Sequence, residues 1–469
     1  MRRRADSALL AIVGLGALLR LPGLFDDFWL DEIWSYRIAR ELRGPLDLLL
    51  SPVGRSDNNH PLNTLLVWLM GEQAHWWVYR LPSLFAGTGT VILAALIGAR
   101  RGHLEAAVAA VLVACSYPLV VYSSEARGYG LVVCFALLAF AAVERGPVAL
   151  FAAACVLGLL SHLTFVHVYT GLVAWTAYRL ARSAAPRGAA RRLLALHVVP
   201  ATTVLLLYAV FVRHLTIGGA PERPTGEALA ESLAALGGIT GSTVTNPVAA
   251  VVVALAAVGL VVALRRHGRD EWIFALVALL VSPTVVIAAQ VLLVNREQAI
   301  YPRHFVVLLP FLLVGLGTLA ADALRQRRRR PAAVVLLASF VALNLWQTAR
   351  FVRGTRGHYA DAVAYIGART PGPIVAVLSD HAARTGLVVE FYARVLPRGK
   401  QLLLIDEAQD PSSRPALPPA WVVAHGFASD PRPGPVAIDR GSGTTFRFDR
   451  EFEAYGLSGY NWSVYRVDH

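Results

Sequence analysis

The chain has 469 residues, of which 56% are hydrophobic and only 16% charged, and its mean hydropathy is +0.52. So few charges over that length exclude an ordinary soluble globular protein and indicate a membrane protein. The net charge of +13 would suggest nucleic acid in a soluble chain, but the arginines concentrate in short gaps between apolar runs, where they set topology, and a nucleic-acid role is set aside.

In chain order, Met1-Arg2-Arg3-Arg4 precedes an apolar run from about Ser7 to Leu24. No small-residue cleavage site follows, so this is read as a retained first helix with its basic end in the cytoplasm. Further runs near the length a bilayer requires fall at about 78–98, 104–121, 129–143, 147–161, 164–180, 193–212, 247–264, 272–294, 304–323 and 332–348. They predict about eleven transmembrane helices. Cys115, Cys134 and Cys155 all lie inside apolar runs, so neither a disulfide nor a cysteine-based metal framework is expected.

The gaps test this count. With the N-terminus inside, the cytoplasmic gaps are Arg100 to His103, Glu144 to Gly146, Arg179 to Arg192, Arg265 to Arg269 and Arg325 to Arg330, and all carry arginine. The opposite gaps, about 25–77, 122–128, 213–246 and 295–303, belong outside. An odd number of spans leaves everything after about Arg350 outside as well. This tail loses apolar content and mixes helix-like pieces, Tyr359 to Thr370 and Ala382 to Val395, with strand-like ones, Ile374 to Leu378, Gln401 to Ile405, Trp421 to Ala424 and Trp462 to Val467. The expected architecture is a polytopic α-helical membrane protein, 1–350, with a first outer loop at 25–77, followed by a small extracytoplasmic α/β domain at 351–469. Asp430 to Pro435 reads as one of that domain's loops.

The first outer gap opens with Phe28-Trp29-Leu30-Asp31-Glu32-Ile33-Trp34, two adjacent acids among aromatic residues. Trp34, Ile38 and Leu42 recur every four residues after it, an apolar stripe suited to the membrane interface, with Arg37, Arg40 and Glu41 off that stripe. One reading has Asp31 cap this helix while Glu32 favours its positive first turn. The other is catalytic, and the two are compatible because a capping position holds a carboxylate rigidly. Farther on, His60-Pro61 is a loop signal in which His60 is also a candidate proton or metal partner. The second outer gap holds Glu125, Arg127 and Tyr129. The last holds Arg296, Tyr301, Pro302, Arg303 and His304, two arginines on the face where arginine is otherwise scarce. Beside Tyr301 they suit a lipid phosphate, which guanidinium binds in bidentate fashion, and interface anchoring is the alternative.

Taken together, Arg20-Leu21-Pro22, Leu30-Asp31-Glu32, His60-Pro61-Leu62, Arg80-Leu81-Pro82-Ser83, Ser124-Glu125-Ala126-Arg127-Gly128-Tyr129 and Tyr301-Pro302-Arg303-His304 resemble the successive motifs of bacterial protein O-mannosyltransferase-like membrane glycosyltransferases. These belong to the glycosyltransferase C superfamily together with the aminoarabinose transferases. The resemblance spans about the first 350 residues, with Leu62 standing where relatives carry a second proline. It implies transfer of a sugar from a polyprenyl-phosphate donor to a glycan, lipid or protein acceptor at the outer face of the cytoplasmic membrane. It further implies Asp31 as the catalytic carboxylate, with Glu32 orienting either Asp31 or the acceptor. Arg303, Arg127 and Tyr301 are then expected at the donor phosphate, and His60, Glu125 and Tyr129 at the substrate. No cofactor is certain; a divalent metal held by Asp31, Glu125 and His60 is the remaining alternative. A transporter or lipid flippase is the competing class, for which mid-membrane charges and repeat-related broken helices are expected.

Overall fold

Across its described residues each of the apolar runs is mainly helical, because a hydrophobic stretch in lipid can satisfy its backbone only internally. The computed structural model describes residues 2–216, 218, 224–239, 245–289, 292, 300–427 and 433–467. Among these, six helical stretches are long and apolar enough to cross a bilayer: Asp6–Leu24, Trp77–Ala99, Pro186–His214, Asn246–Arg266, Trp272–Ala289 and the first part of Arg330–Arg369. The runs predicted at 129–143, 147–161, 164–180 and 304–323 form the shorter helices Tyr129–Arg145, Val148–Ser161, Phe165–Ala181 and Leu309–Arg325. The chain is a multi-pass helical membrane protein with a C-terminal α/β region.

The run predicted at 104–121 is broken into His103–Cys115 and Tyr117–Tyr122. Pro118 has no N–H to donate, and the amide of Tyr117 freed at the break donates to Asn344 Oδ1 at 2.8 Å. Asn344 is itself fixed by donating to Phe340 O at 2.9 Å. The long gap at 213–246 contains a helix, Thr225–Leu236, with Ala228, Ser232 and Ala234 buried. Arg296 and much of 295–303, residues 217, 219–223 and 240–244 of the long gap, and 430–432 of the Pro-rich loop lie outside the described residues.

The chain divides into two compact units, one of Met1–Leu24 and Ser35–Thr348, the other of Phe25–Trp34 and Ala349–His469. The start of the first outer loop therefore groups with the C-terminal region, and the division falls within the helix Leu30–Glu41. In the second unit a six-stranded sheet has the order β2-β1-β3-β6-β5-β4. Its strands are β1 (Ile374–Ser379), β2 (Gln401–Asp406), β3 (Trp421–Gly426), β4 (Val436–Ile438), β5 (Thr445–Phe452) and β6 (Asn461–Val467). Strand β1 runs parallel to both β2 and β3, and the other pairings are antiparallel. Leu378, Ile405, Val422, Phe446 and Tyr465 form a core on one face.

The segment Phe25–Trp34 is tied into this unit by polar bonds at successive residues. Asp26 Oδ2 meets Nη1 of the fully buried Arg356 at 3.0 Å. Asp27 Oδ2 accepts the Ala360 N–H at 2.8 Å, in the first turn of the helix Tyr359–Arg369, whose own N-cap residue supplies no side-chain bond. A carboxylate there satisfies an orphan donor and complements the helix dipole. Tyr392 donates its hydroxyl to Phe28 O at 3.0 Å, and the Phe28 and Phe391 rings stack at 6.3 Å.

Removing one partner from a buried ion pair leaves an uncompensated charge, which costs about 3–5 kcal/mol. Arg356→Met is expected to lower the unfolding midpoint of the C-terminal unit by an equivalent amount, and Asp26→Leu combined with it to recover part of the loss. Thermal melts followed by tryptophan fluorescence of the purified protein check this; equal midpoints for wild type and Arg356→Met would contradict it.

Candidate active site

In the membrane-spanning unit, buried arginines spend their donors on backbone carbonyls and hydroxyls, fixing the ends of helices. Arg20, at the end of the first helix, donates to Ser123 Oγ at 2.8 Å, Gly16 O at 2.6 Å and Ala114 O at 3.3 Å. Its acceptors include a carbonyl in the last turn of His103–Cys115, which has no intrahelical partner. Gly87 makes this possible, since a Cβ there would collide with Ser123. Arg80 Nη1 holds Gly23 O and Leu24 O at 3.2 and 2.8 Å. Both guanidiniums are fully buried.

Three connections then converge. The loop before Pro61–Met70 is braced by Asn58, which donates to Gly54 O at 2.9 Å and accepts from Thr64 Oγ1 at 2.9 Å. Asn63 Nδ2 donates to Ala126 O at 2.7 Å, and Leu163 N donates to Asn59 O at 3.1 Å. The second outer gap is also held by Ser83 Oγ, which donates to Arg127 O at 3.0 Å. Gly128 is required at this junction: a Cβ would strike the Ser161 carbonyl oxygen and crowd His60.

Converging backbones bring side chains together. His60 and His162 present their rings at 6.4 Å, Tyr129 packs against His162 at 5.0 Å, and Tyr122 against Tyr129 at 5.1 Å. Arg127 Nη1 donates to Ser35 Oγ at 3.0 Å, and its guanidinium lies 5.9 Å from the Tyr129 ring centroid. Glu125 is fully buried. Arg303 stacks over the Tyr301 ring at 4.1 Å, and His304 Nδ1 accepts the Tyr301 N–H at 3.4 Å. The charges of Arg127 and Arg303 both reach His60 and His162, while Glu125 and Arg303 both act on Tyr122. Among the residues expected from sequence, His60, Glu125, Arg127, Tyr129 and Arg303 thus share one polar centre in this unit.

Asp31 and Glu32 belong to the other unit and sit in the first turn of Leu30–Glu41. The backbone N–H of Trp29 reaches back to Glu32 Oε2 at 3.4 Å. Glu32, three residues in as in a capping box, closes the helix start, and Asp31 lies beside it in the same first turn. Glu32 is fully buried and Asp31 half-buried. The stripe on this helix is buried at Ile38 and Leu42, while Arg37 and Glu41 pair at 3.0 Å on its exposed face. Among the described residues no group of three or more His, Cys, Asp or Glu side chains is placed to hold a metal ion.

Sequence reasoning missed His162. It lies in the two-residue gap between the runs at 147–161 and 164–180, and counting spans places that gap on the same side as His60, Glu125 and Arg303. It also missed Asp26 and Asp27, whose acidic pair precedes the one that drew attention, and Ser35.

No family model matches the chain and no curated protein matches it. Among solved structures it aligns with apo ArnT from Cupriavidus metallidurans at a TM-score of 0.50 and 13% identity, covering 90% of this chain and 93% of that one. The fold is shared with ArnT. ArnT from the same organism bound to undecaprenyl phosphate also aligns, at a TM-score of 0.43 and 14% identity over 97% of both chains.

Burial, with the charges of Arg127 and Arg303 adding to it, pushes the pKa values of His60 and His162 well below the usual imidazole range. Both rings are neutral at pH 7. An unfolded histidine binds its proton near pH 6.5. Stability is therefore fully present above about pH 6.5 and falls as pH decreases towards the lowered folded-state values. His60→Asn is expected to flatten that acid-side slope in melting temperatures recorded from pH 8 to 5, whereas an unchanged slope would show that folding does not lower the His60 pKa.

Proposed function

We propose that the protein transfers a sugar from a polyprenyl-phosphate carrier to an acceptor at the outer face of the cytoplasmic membrane, with Asp31 as general base. The observation that carries this reading is the polar centre that Arg127, Arg303, Glu125, Tyr129 and His60 share, on a fold shared with ArnT. Orientation follows the arginine-rich gaps, with the N-terminus in the cytoplasm and the C-terminal α/β region outside.

The chemistry asks for few groups. An acceptor hydroxyl attacks the anomeric carbon while Asp31 takes its proton, and the bond from that carbon to the lipid phosphate breaks in the same step. One displacement inverts the anomeric configuration. The departing phosphate gains a negative charge, which Arg303 and Arg127 stabilise through charge-assisted hydrogen bonds. Tyr301, against which Arg303 lies, limits the freedom of that guanidinium. His60 and His162, as neutral imidazoles, offer hydrogen bonds to sugar hydroxyls without adding charge. Glu32, by closing the helix start, fixes the turn from which Asp31 projects.

The decisive experiment incubates the purified protein with a panel of polyprenyl-phosphate sugars and measures released polyprenyl phosphate. Asp31→Asn is expected to lower turnover by about 10²–10⁴-fold while the protein still accumulates in the membrane. Arg303→Ala is expected to raise the KM for donor more than that for acceptor. Full activity in Asp31→Asn removes the base assignment. No turnover with any donor, together with vectorial solute movement in vesicles, would favour a transporter.

A further inference from the structure

We propose that the C-terminal unit carries a saccharide-binding site of its own, at the carboxyl ends of β1 and β3. The topology creates the place. Strand β1 lies between its two parallel neighbours, with β2 on one side and β3 on the other. The chain leaves β1 towards β2, whereas it leaves β3 for β4 at the far edge of the sheet. Two adjacent parallel strands whose following connections depart in opposite directions open a crevice beyond their carboxyl ends, where open α/β sheets bind ligands.

The residues delivered there are polar and fixed. Asp380 follows β1 directly, and His425 is the penultimate residue of β3. Asp380 Oδ2 lies 2.7 Å from His425 Nδ1 and accepts the His425 backbone N–H at 2.9 Å. Its Oδ1 accepts from Thr385 Oγ1 at 2.5 Å. Arg384 Nη1 approaches His425 Nε2 at 3.1 Å. A guanidinium can only donate, so Nε2 accepts and Nδ1 carries the proton that it gives to Asp380. Asp380, His425 and Arg384 thereby form a chain in which each group sets the orientation of the next.

Around this hub stand aromatic rings. Tyr460 lies 5.4 Å from the His425 ring at 79°, and Phe427 lies 6.2 Å from it and 5.2 Å from Tyr460. His381, exposed at the rim, stands 6.0 Å from His425 at 89°. Fixed planar donors and acceptors beside aromatic faces match a sugar ring, which has an apolar C–H face bounded by hydroxyls that both donate and accept. A simple anion site fits less well, because the negative charges of Asp380 and Asp406 act on His381 alongside the positive charge of Arg384. Burial and the charge of Arg384 also push the His381 pKa down, keeping that ring neutral. A purely structural tie would need neither the rim histidine nor the paired aromatic walls. Tyr460 also meets Trp29 edge-on at 6.3 Å, two residues before Asp31, which suits a site that receives part of an acceptor glycan.

Binding is measured on the full-length protein in nanodiscs by saturation-transfer NMR, so that no sugar transfer is required and the result is independent of the base assignment. The probes are methyl α-mannopyranoside, methyl β-glucopyranoside, methyl β-arabinopyranoside, glucuronate and inorganic phosphate. The expected result is saturable binding of at least one neutral glycoside with a Kd below about 10 mM. Asp380→Asn and Tyr460→Ala should weaken it by about tenfold or more, and His381→Ala, at an exposed rim position outside the Asp380 network, should weaken it with an unchanged melting temperature. Asp31→Asn should bind as wild type. The proposal is overturned if no neutral glycoside binds, if only glucuronate or phosphate binds, or if His381→Ala binds as wild type. Loss of binding in Asp31→Asn would overturn it too, by locating the glycoside at the transfer centre.

Discussion

The ion pair between Asp26 and Arg356 is the constraint on which much else depends. A guanidinium with no exposed surface is tolerated only when its charge is met and its donors are used, and the acid that meets it comes from a segment 330 residues away in sequence. Around that pair the unit adds Asp27 at the start of Tyr359–Arg369 and Tyr392 on the Phe28 carbonyl. Ten residues of the first outer loop are thereby built into the C-terminal unit. Among them is Asp31, the residue assigned the central chemical task.

The membrane-spanning unit solves a related problem by other means. Arg20 and Arg80 pair with backbone carbonyls where helices end, so their charges serve as braces for irregular chain in a region where unsatisfied backbone is costly. The loops they brace bear Glu125, Arg127 and Tyr129, and Gly128 allows those loops to approach the His60 connection closely. Burial then keeps the imidazoles neutral, and among the described residues Arg127 and Arg303 bring positive charge to the centre.

Much of this was legible in the chain. Hydrophobic runs of bilayer length gave helices with close boundaries because their length and composition leave lipid-exposed backbone no other solution. Interruptions inside runs were not legible: the break at Ser116 depends on Asn344 from a distant helix to receive the Tyr117 amide. In the α/β region β1, β2, β3 and β6 were visible as short apolar stretches, but β4 and β5 were not. Strand β5 buries Phe446 and Phe452, and a bulge between Phe448 and Arg450 breaks the alternation that would have revealed it. For the site, outer-gap residues named by motif order proved to be spatial neighbours within their unit. Asp26, Asp27 and His162 escaped because each works through a contact remote in sequence and none belongs to a local pattern. Glu32 lies in the positive first turn as expected and also accepts the Trp29 N–H, a contact that rests on side-chain geometry and not on spacing.

The separation of Asp26 from Arg356 also sets an order of events during synthesis. Chains grow at roughly 5–20 residues per second, so the segment bearing Asp31 leaves the ribosome on the order of tens of seconds before the arginine that anchors it exists. The pair can therefore close only after Arg356 has been added, long after the acid has left the ribosome.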